Sequence, residues 1–395
     1  MISFKEAQEI IIGLAASFGT ETVSLEKALG RVLAEPVTAD RDYPPFNRAS
    51  MDGYAMKYTD IEKGIFELEM IETIFAGQLP QTALKSGQCY KIMTGAAVPV
   101  SADMIIQREN ITGNDNHITI RPGKYKPFQQ ISKQGEDVKG GERIAMPPLT
   151  CTPALVSALA ALGMATVAVR KLPKVAIFTT GNEVVPVGGH VSPLQIRNSN
   201  QYMLRALVQQ WGIAPFLCDH IRDDKKDLYE SLSKALSGDI IIISGGVSAG
   251  DADFVPEILE SLGVKKLFHK VAIKPGKPIW FGHTPGGAVV FALPGNPLSG
   301  LVAFILFVEL YLSHCLGSMT QIVALPLTAG RIKKSNLDEF FPVTVCYAPL
   351  GIAPVSFNGS GDILAAITAD GIAHHTASID VISPQTLIGV RLFKK

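Results

Sequence analysis

Neither sign of charge is in excess in this chain, where 36 Lys and Arg stand against 36 Asp and Glu. Nucleic-acid binders usually show a net basic footprint, so the balance argues against that class and any phosphate must be held by local clusters. Cysteine is scarce as well. Cys89, Cys151, Cys218, Cys315 and Cys346 are far apart and odd in number, with no Cys-x-x-Cys pair to seed a zinc site or redox centre. A reduced, cytoplasmic compartment is the expectation. The N-terminus lacks a basic leader, and Glu6 and Glu9 interrupt the stretch before Ile10-Ile11-Ile12, so Ser3 with Glu6 reads as a capping box opening an ordinary helix. No membrane span is expected either: the longest apolar segment, Leu298 to Leu316, contains Glu309 and His314 and reads as a buried core helix.

What is present is enough apolar sequence for several cores: 47% of 395 residues are hydrophobic, a length above the usual single-core size. From Lys174 onward the pattern alternates strand and helix. Strands are predicted at Val175 to Phe178, Phe216 and Leu217, Ile240 to Ile243, and Val289 to Leu293. Helices are predicted from Asn198 to Trp211, from Lys225 to Leu236 with Tyr229, Leu232 and Leu236 on one face, and from Phe254 to Leu262. Short strands joined by helices predict a doubly wound, mostly parallel sheet whose loops open on one edge. Those loops are Thr179 to Glu183, Arg222-Asp223-Asp224, Ser244 to Asp251, and Leu293 to Pro297. Residues 40 to 139 and the segment after Ile322 carry short β-like runs among Gly and Pro turns, which predicts β-rich domains, the last a small barrel or sandwich.

Three loops bear chemistry. Ser244 to Asp251 follows a buried apolar run, and its glycines let backbone N–H groups converge on an anion while Asp251 holds a cation; the same glycines equally make a tight turn. Asp251 and Ala252 stand where a P-loop needs Lys and Ser or Thr, and no Gly-x-Gly-x-x-Gly follows a strand, so Walker-type and dinucleotide sites are rejected. In Lys274-Pro275-Gly276-Lys277-Pro278 the prolines restrict the backbone on both sides of the glycine and hold two ammonium groups near one another, either as an oxyanion clamp or as solvated surface lysines. Leu293-Pro294-Gly295-Asn296-Pro297 opens a helix whose first N–H groups suit an anion, or is a rigid connection. Asp52 and Glu136-Asp137 read alone as turn residues, and His374-His375 as surface residues.

Taken in order, these strings resemble one family, the molybdopterin molybdenumtransferases of molybdenum-cofactor synthesis (MoeA proteins and the E domain of gephyrin). They are SMDGYA at Ser50 to Ala55, MTGAAVP at Met93 to Pro99, GED at Gly135 to Asp137, TGNE at Thr180 to Glu183, SGGVSAGDAD at Ser244 to Asp253, KPGKP at Lys274 to Pro278 and LPGNP at Leu293 to Pro297. Coverage extends to Gly359-Ser360-Gly361 and Ala369-Asp370-Gly371.

The resemblance implies four domains: an elongated one from residues 1–39 and 140–172, a β-rich one at 40–139, a doubly wound molybdopterin-binding one at 173–318, and a C-terminal β domain at 319–395. It implies insertion of molybdate into adenylylated molybdopterin with Mg²⁺-assisted release of AMP. It also implies a homodimer whose cleft is shared between subunits, and a molybdopterin adenylyltransferase as supplier. The catalytic set implied is Asp52, Thr94, Asp137, Glu183, Asp223, Asp251, Lys274 and Lys277, with Glu183 and Asp251 toward the metal. Ser244, Gly245, Gly246, Ser248, Gly250, Pro294, Gly295, Asn296, Pro297 and Ser299 would bind substrate. Asn182 stands where the family commonly has an acid, Phe254 where it usually has Tyr, and the Arg expected near Pro342 is absent. The competing readings are a molybdopterin adenylyltransferase, which needs little beyond the α/β domain, and a non-catalytic scaffold like gephyrin's.

Overall fold

The structure is a computed structural model and describes residues 1–114, 116–247, 253–318, 322–333 and 335–394. The chain divides into two compact units, one comprising residues 1–34, 148–152 and 166–395, the other residues 35–147 and 153–165.

The larger unit is built on a six-stranded sheet. Its strands in chain order are β1 (Val175–Thr180), β2 (Leu217–Ile221), β3 (Ile240–Ser244), β4 (Lys265–His269), β5 (Trp280–His283) and β6 (Val289–Leu293). They lie side by side as β2-β1-β3-β6-β5-β4. Pairs β2-β1, β1-β3 and β3-β6 are parallel, and β6-β5 and β5-β4 are antiparallel. Alternate residues feed two cores. Val175, Ile177, Ile240, Ile242 and Phe291 meet Leu204 and Val208 of α1 (Ser199–Gln209) and the long helix α4 (Pro297–Leu316). Ala176, Phe178, Ile241, Ile243 and Val290 meet α2 (Lys225–Ala235) and α3 (Val255–Ser261). Helices on both faces explain why β3 is an unbroken apolar run rather than an alternating one.

The caps follow the sequence. The Asn198 side chain accepts from the Gln201 N–H to start α1, Gly212 beyond its end takes φ +74°, and the Asp224 carboxylate accepts from the Lys226 and Asp227 N–H groups to start α2. Ser3 and Glu6 form the expected reciprocal box on the helix Phe4–Gly13. On α2 the buried face is Leu228, Leu232 and Ala235, whereas Tyr229 is exposed; the expected face was one position out of phase with the sheet. Helix α4 is mostly buried, as a core helix, and contains a π-helical stretch at Phe304–Val308.

The same unit carries a second six-stranded sheet. Strand Asp338–Tyr347 pairs in parallel with Ile273–Lys274 and antiparallel with both Leu350–Pro354 and Gly371–His375. Leu387–Leu392 and Ile322–Pro326 complete it, and a bridge between Leu327 and Ile352 curls it back on itself. The two adjacent histidines are not surface residues. Strand alternation sends them to opposite faces, and His375 is fully buried. There Arg331 donates to its Nδ1 at 2.8 Å, so Nε2 carries the proton donated to the Ile379 carbonyl at 2.8 Å. Burial, with the Arg331 charge, holds the His375 imidazole below its ordinary range. His374 instead reaches the Asp338 carboxylate at 2.7 Å.

The smaller unit also has a six-stranded sheet, in the order Met104–Gln107, Gly53–Met56, Gln88–Ile92, Glu67–Ile74, His117–Ile120 and Ile111–Gly113. All its pairs are antiparallel except Gln88–Ile92 with Glu67–Ile74. Gly53 belongs in this sheet because a Cβ there would come within 2.2 Å of the Ile106 carbonyl oxygen.

Candidate functional site

The four parallel strands end on one edge, and the loops that follow them enclose a cavity of about 920 Å³. Thr180, Gly181 and Glu183 after β1, Asp223 after β2, Gly245, Gly246 and Val247 after β3, and Pro294, Gly295, Asn296 and Pro297 after β6 all line it.

Glycines make its floor. Gly245 and Gly246 adopt φ of +101° and +66°. A Cβ on Gly245 would lie 2.8 Å from Thr180 Oγ1, and one on Gly246 would lie 2.7 Å from Val255 Cγ2. Gly295 packs on this loop, where a Cβ would already touch the Gly245 Cα at 3.5 Å. Backbone rather than side chain is therefore presented to whatever enters.

Carboxylates stand on the β1 and β2 side. Burial raises the Asp223 carboxyl above the usual carboxylate range, and the nearby Glu183 and Asp253 charges raise it further, against a lowering hydrogen bond from the Asn182 N–H. Glu183 and Asp253 line the same cavity. Asn182 ties the two loops: its N–H donates to Asp223 Oδ2 and its Oδ1 accepts from the Asp223 N–H, both at 3.2 Å. The position where an acid was expected thus serves as a clasp.

Several cavity residues were missed from the sequence. Asn200 uses both Nδ2 hydrogens, on Ser244 Oγ at 2.9 Å and the Gly295 carbonyl at 2.6 Å, and so joins α1 to the loops after β3 and β6. Its Oδ1 is buried without a partner among the described residues. Asn296 Nδ2 donates to Ser360 Oγ at 2.9 Å, the Leu298 N–H donates to the Ser360 carbonyl, and Gly361 and Ile363 complete the wall. The only sequence signal for Asn200 is its place two residues beyond a helix cap, which does not distinguish it.

Other expected residues fall elsewhere. Ser299 is buried in α4 at 4% exposure and does not line the cavity, because its place in the first turn faces inward. Ser244 lies at the base, donating to the Pro294 carbonyl at 3.3 Å. Of the Lys-Pro-Gly-Lys-Pro run only Pro278 reaches the cavity wall. Lys277 is exposed, and Lys274 is 3.8 Å from Glu339 Oε1 with 63% of its side chain exposed. Ser248, Gly250 and Asp251 lie outside the described residues.

In the smaller unit, Asp52 and Thr94 are brought together. Asp52 Oδ1 accepts from Thr94 Oγ1 at 2.7 Å and from the Thr94 N–H at 2.8 Å, and these two bonds hold its carboxyl below the usual range. Asp137 is exposed in a turn that its N–H fastens to the Tyr43 carbonyl.

Comparison with known proteins agrees with this architecture. Residues 2–163 match the MoeA N-terminal region (domain I and II), and residues 176–314 match the probable molybdopterin binding domain. The chain is 32% identical over 388 residues to a molybdopterin molybdenumtransferase of Synechocystis sp., covering 96% of this chain and 97% of that one. It is 37% identical over 320 residues to the enzyme of the same name from Nostoc sp., covering 78% and 73%. The crystal structure of the molybdopterin biosynthesis moeA protein from Pyrococcus horikoshii superimposes with a TM-score of 0.84 at 28% identity, over 100% of both chains. The chain belongs to the molybdopterin molybdenumtransferase family.

Proposed function

We propose that this transferase inserts molybdate into adenylylated molybdopterin and releases AMP, and that the cavity at the carboxyl edge of β1, β2, β3 and β6 is where it does so. The observation that carries the reading is the division of that cavity: a glycine floor of Gly245, Gly246 and Gly295 for phosphate oxygens on one side, and Glu183, Asp223 and Asp253 on the other. Backbone N–H groups suit a pyrophosphate, and carboxylates suit the cation that accompanies it.

Mg²⁺ fits by donor type. Carboxylate oxygens are its preferred protein ligands, and the Asp223 carboxyl, raised first by burial and then by the Glu183 and Asp253 charges, is one whose ionised form a cation would favour. Among the described residues no three His, Cys, Asp or Glu side chains converge on one metal position, in keeping with an ion held by one or two carboxylates plus substrate phosphates. When bound, it would offset the pyrophosphate charge and favour departure of AMP.

Molybdate must approach a substrate that is already anionic. Lys274 and Lys277, on a run that reaches the cavity through Pro278, would offset that repulsion while the two dithiolate sulfurs replace one oxo ligand, which takes up two protons and leaves as water. Asp52, Thr94 and Asp137 would enter from a second copy of the chain in a homodimer, and a molybdopterin adenylyltransferase would supply the substrate.

The test is AMP release from adenylylated molybdopterin by the purified protein with Mg²⁺, with and without molybdate. Molybdate-dependent release that falls at least about tenfold in Lys277→Ala, and in Asp223→Asn, is expected for groups of this kind. Release independent of molybdate would overturn the proposed reaction. Release unchanged in both variants would overturn the site.

A further inference from the structure

The larger unit holds a second cavity, of about 220 Å³, to which none of the chemistry above is assigned. It is lined by Arg31 and Arg170 from the N-terminal part of the unit, by Lys394 near the C-terminus, and by Trp211 just past α1, with Leu172 and Leu316 among its apolar walls. No residue lining the first cavity lines this one.

Its cations are fixed but not fully used. The Arg31 side chain is 12% exposed, and Nη2 spends its hydrogens on Glu21 Oε1 at 2.6 Å and on the Arg170 carbonyl at 2.7 Å. Its Nε, also buried, has no acceptor among the described residues. Arg170 donates from Nη1 to Ser17 Oγ at 3.2 Å, a neutral partner, and among the described residues it forms no ion pair. Lys394 lies over the Trp211 ring, and burial lowers its ammonium to about 8 despite the Glu309 carboxylate. Among the described residues, Glu21 pairs with Arg31, and Glu309 lies near enough to Lys394 and Arg391 for each to feel its charge; neither acid lines the cavity, whereas Arg31, Arg170 and Lys394 do. Among the described lining residues positive charge is therefore in excess, in a pocket with an indole and two leucines for walls.

We propose that this cavity is a binding site for a small organic anion, its phosphate or carboxylate held by Arg31, Arg170 and Lys394 and its compact apolar body against Trp211. Guanidinium groups with free donors match the planar or tetrahedral oxygens of such an anion, and desolvated cations gain more from one than exposed lysines do. The volume exceeds what a bare oxyanion fills, which is why an apolar body is included. The site is independent of the transferase reaction and stands or falls separately from it.

Trp211 supplies a local reporter, since the chain has only one other tryptophan, Trp280, which is fully buried in the sheet. The full-length protein is titrated with phenyl phosphate, inorganic phosphate and phenol while tryptophan fluorescence is followed. Expected are a saturable change with phenyl phosphate, weaker binding of inorganic phosphate, no response to phenol, and loss of the signal in Trp211→Phe. Lys394→Gln and Arg170→Gln should each weaken phenyl phosphate by about tenfold or more, the worth of a hydrogen bond to a charged group. The Lys394 side chain is only half-buried, so its variant reports even if Arg170→Gln fails to fold. No saturable change, an equal response to phenol, or affinity that survives Lys394→Gln would overturn the proposal. Inorganic phosphate binding as tightly as phenyl phosphate would overturn the apolar part of it.

Discussion

The α/β sheet and the C-terminal sheet belong to one unit, yet every residue of β1, β3 and β6 is buried, while strands Asp338–Tyr347 and Leu350–Pro354 mix buried with half-buried and exposed positions. A sheet covered by helices on both faces has only its strand ends left for chemistry, and parallel strands put those ends together. The mainly antiparallel C-terminal sheet has strand ends at both edges and leaves several strand positions half-buried or exposed. This difference fixes where single substitutions should hurt. Ile242→Ala, at the centre of the parallel sheet, should cost about 2–5 kcal/mol in chemical denaturation, and Val345→Ala, half-buried in the C-terminal sheet, about 1 kcal/mol. Equal costs would break the comparison.

A second contrast sets loop against loop. Gly245 and Gly287 both have positive φ, +101° and +92°. A Cβ on Gly245 would meet Thr180 Oγ1 and O at 2.8 and 2.9 Å, whereas one on Gly287, in the hairpin between β5 and β6, would meet nothing within 4 Å. Gly287→Ala should therefore cost only the backbone strain, about 1 kcal/mol, and Gly245→Ala about 2–4 kcal/mol together with loss of AMP release. Thermal or chemical unfolding of the pair, read beside turnover, separates strain from site architecture.

The same contrast explains what was legible beforehand. The run Ile240 to Ile243, the caps Asn198 and Asp224, and the glycine strings are local signals, and the structure has them where the sequence puts them. The antiparallel strands β4 and β5 were not foreseen, because Lys265–His269 and Trp280–His283 are short and gain their pairing only from the edge offered by β6. Asn200 was invisible because its partners, Ser244 and Gly295, are 44 and 95 residues away. His375 was misplaced because two adjacent histidines look alike in sequence, and only the strand decides which is interior.

That interior histidine makes the C-terminal sheet sensitive to acid in a way the α/β sheet is not. His375 binds a proton less readily folded than unfolded, so the unfolded chain takes up more protons as pH drops below about 6.5. The stability it supports is present above that pH and is lost as pH falls through the lowered folded value, by at most about 1.4 kcal/mol per pH unit. Glu339, also lowered, loses its contribution only in the more acid carboxylate window, below about pH 4.5. Unfolding measured between pH 7.5 and 5.5 should show this slope, and His375→Gln, which can still accept from Arg331 and donate to Ile379, should flatten it. A slope unchanged by the substitution would assign the effect elsewhere.

The smallest effect is the sharpest discriminator, because it sets adjacent residues of the same type against each other. Asp224 accepts from the Lys226 and Asp227 N–H groups at 2.9 and 3.0 Å and does not line the cavity; Asp223 lines it and caps nothing. Asp224→Ala should lose about 1 kcal/mol of stability, the usual worth of an N-cap, and leave molybdate-dependent AMP release intact. Asp223→Asn keeps the N–H that Asn182 accepts and the oxygen to which Asn182 donates, so stability should hold while release falls. It also removes the carboxyl that burial, Glu183 and Asp253 hold above the usual range, so any pH dependence of release that reflects that group should shift with it. Were Asp224→Ala to abolish release and Asp223→Asn to spare it, the carboxyl edge of β2 would be a helix start only, and the chemistry would have to rest on the loops after β1, β3 and β6.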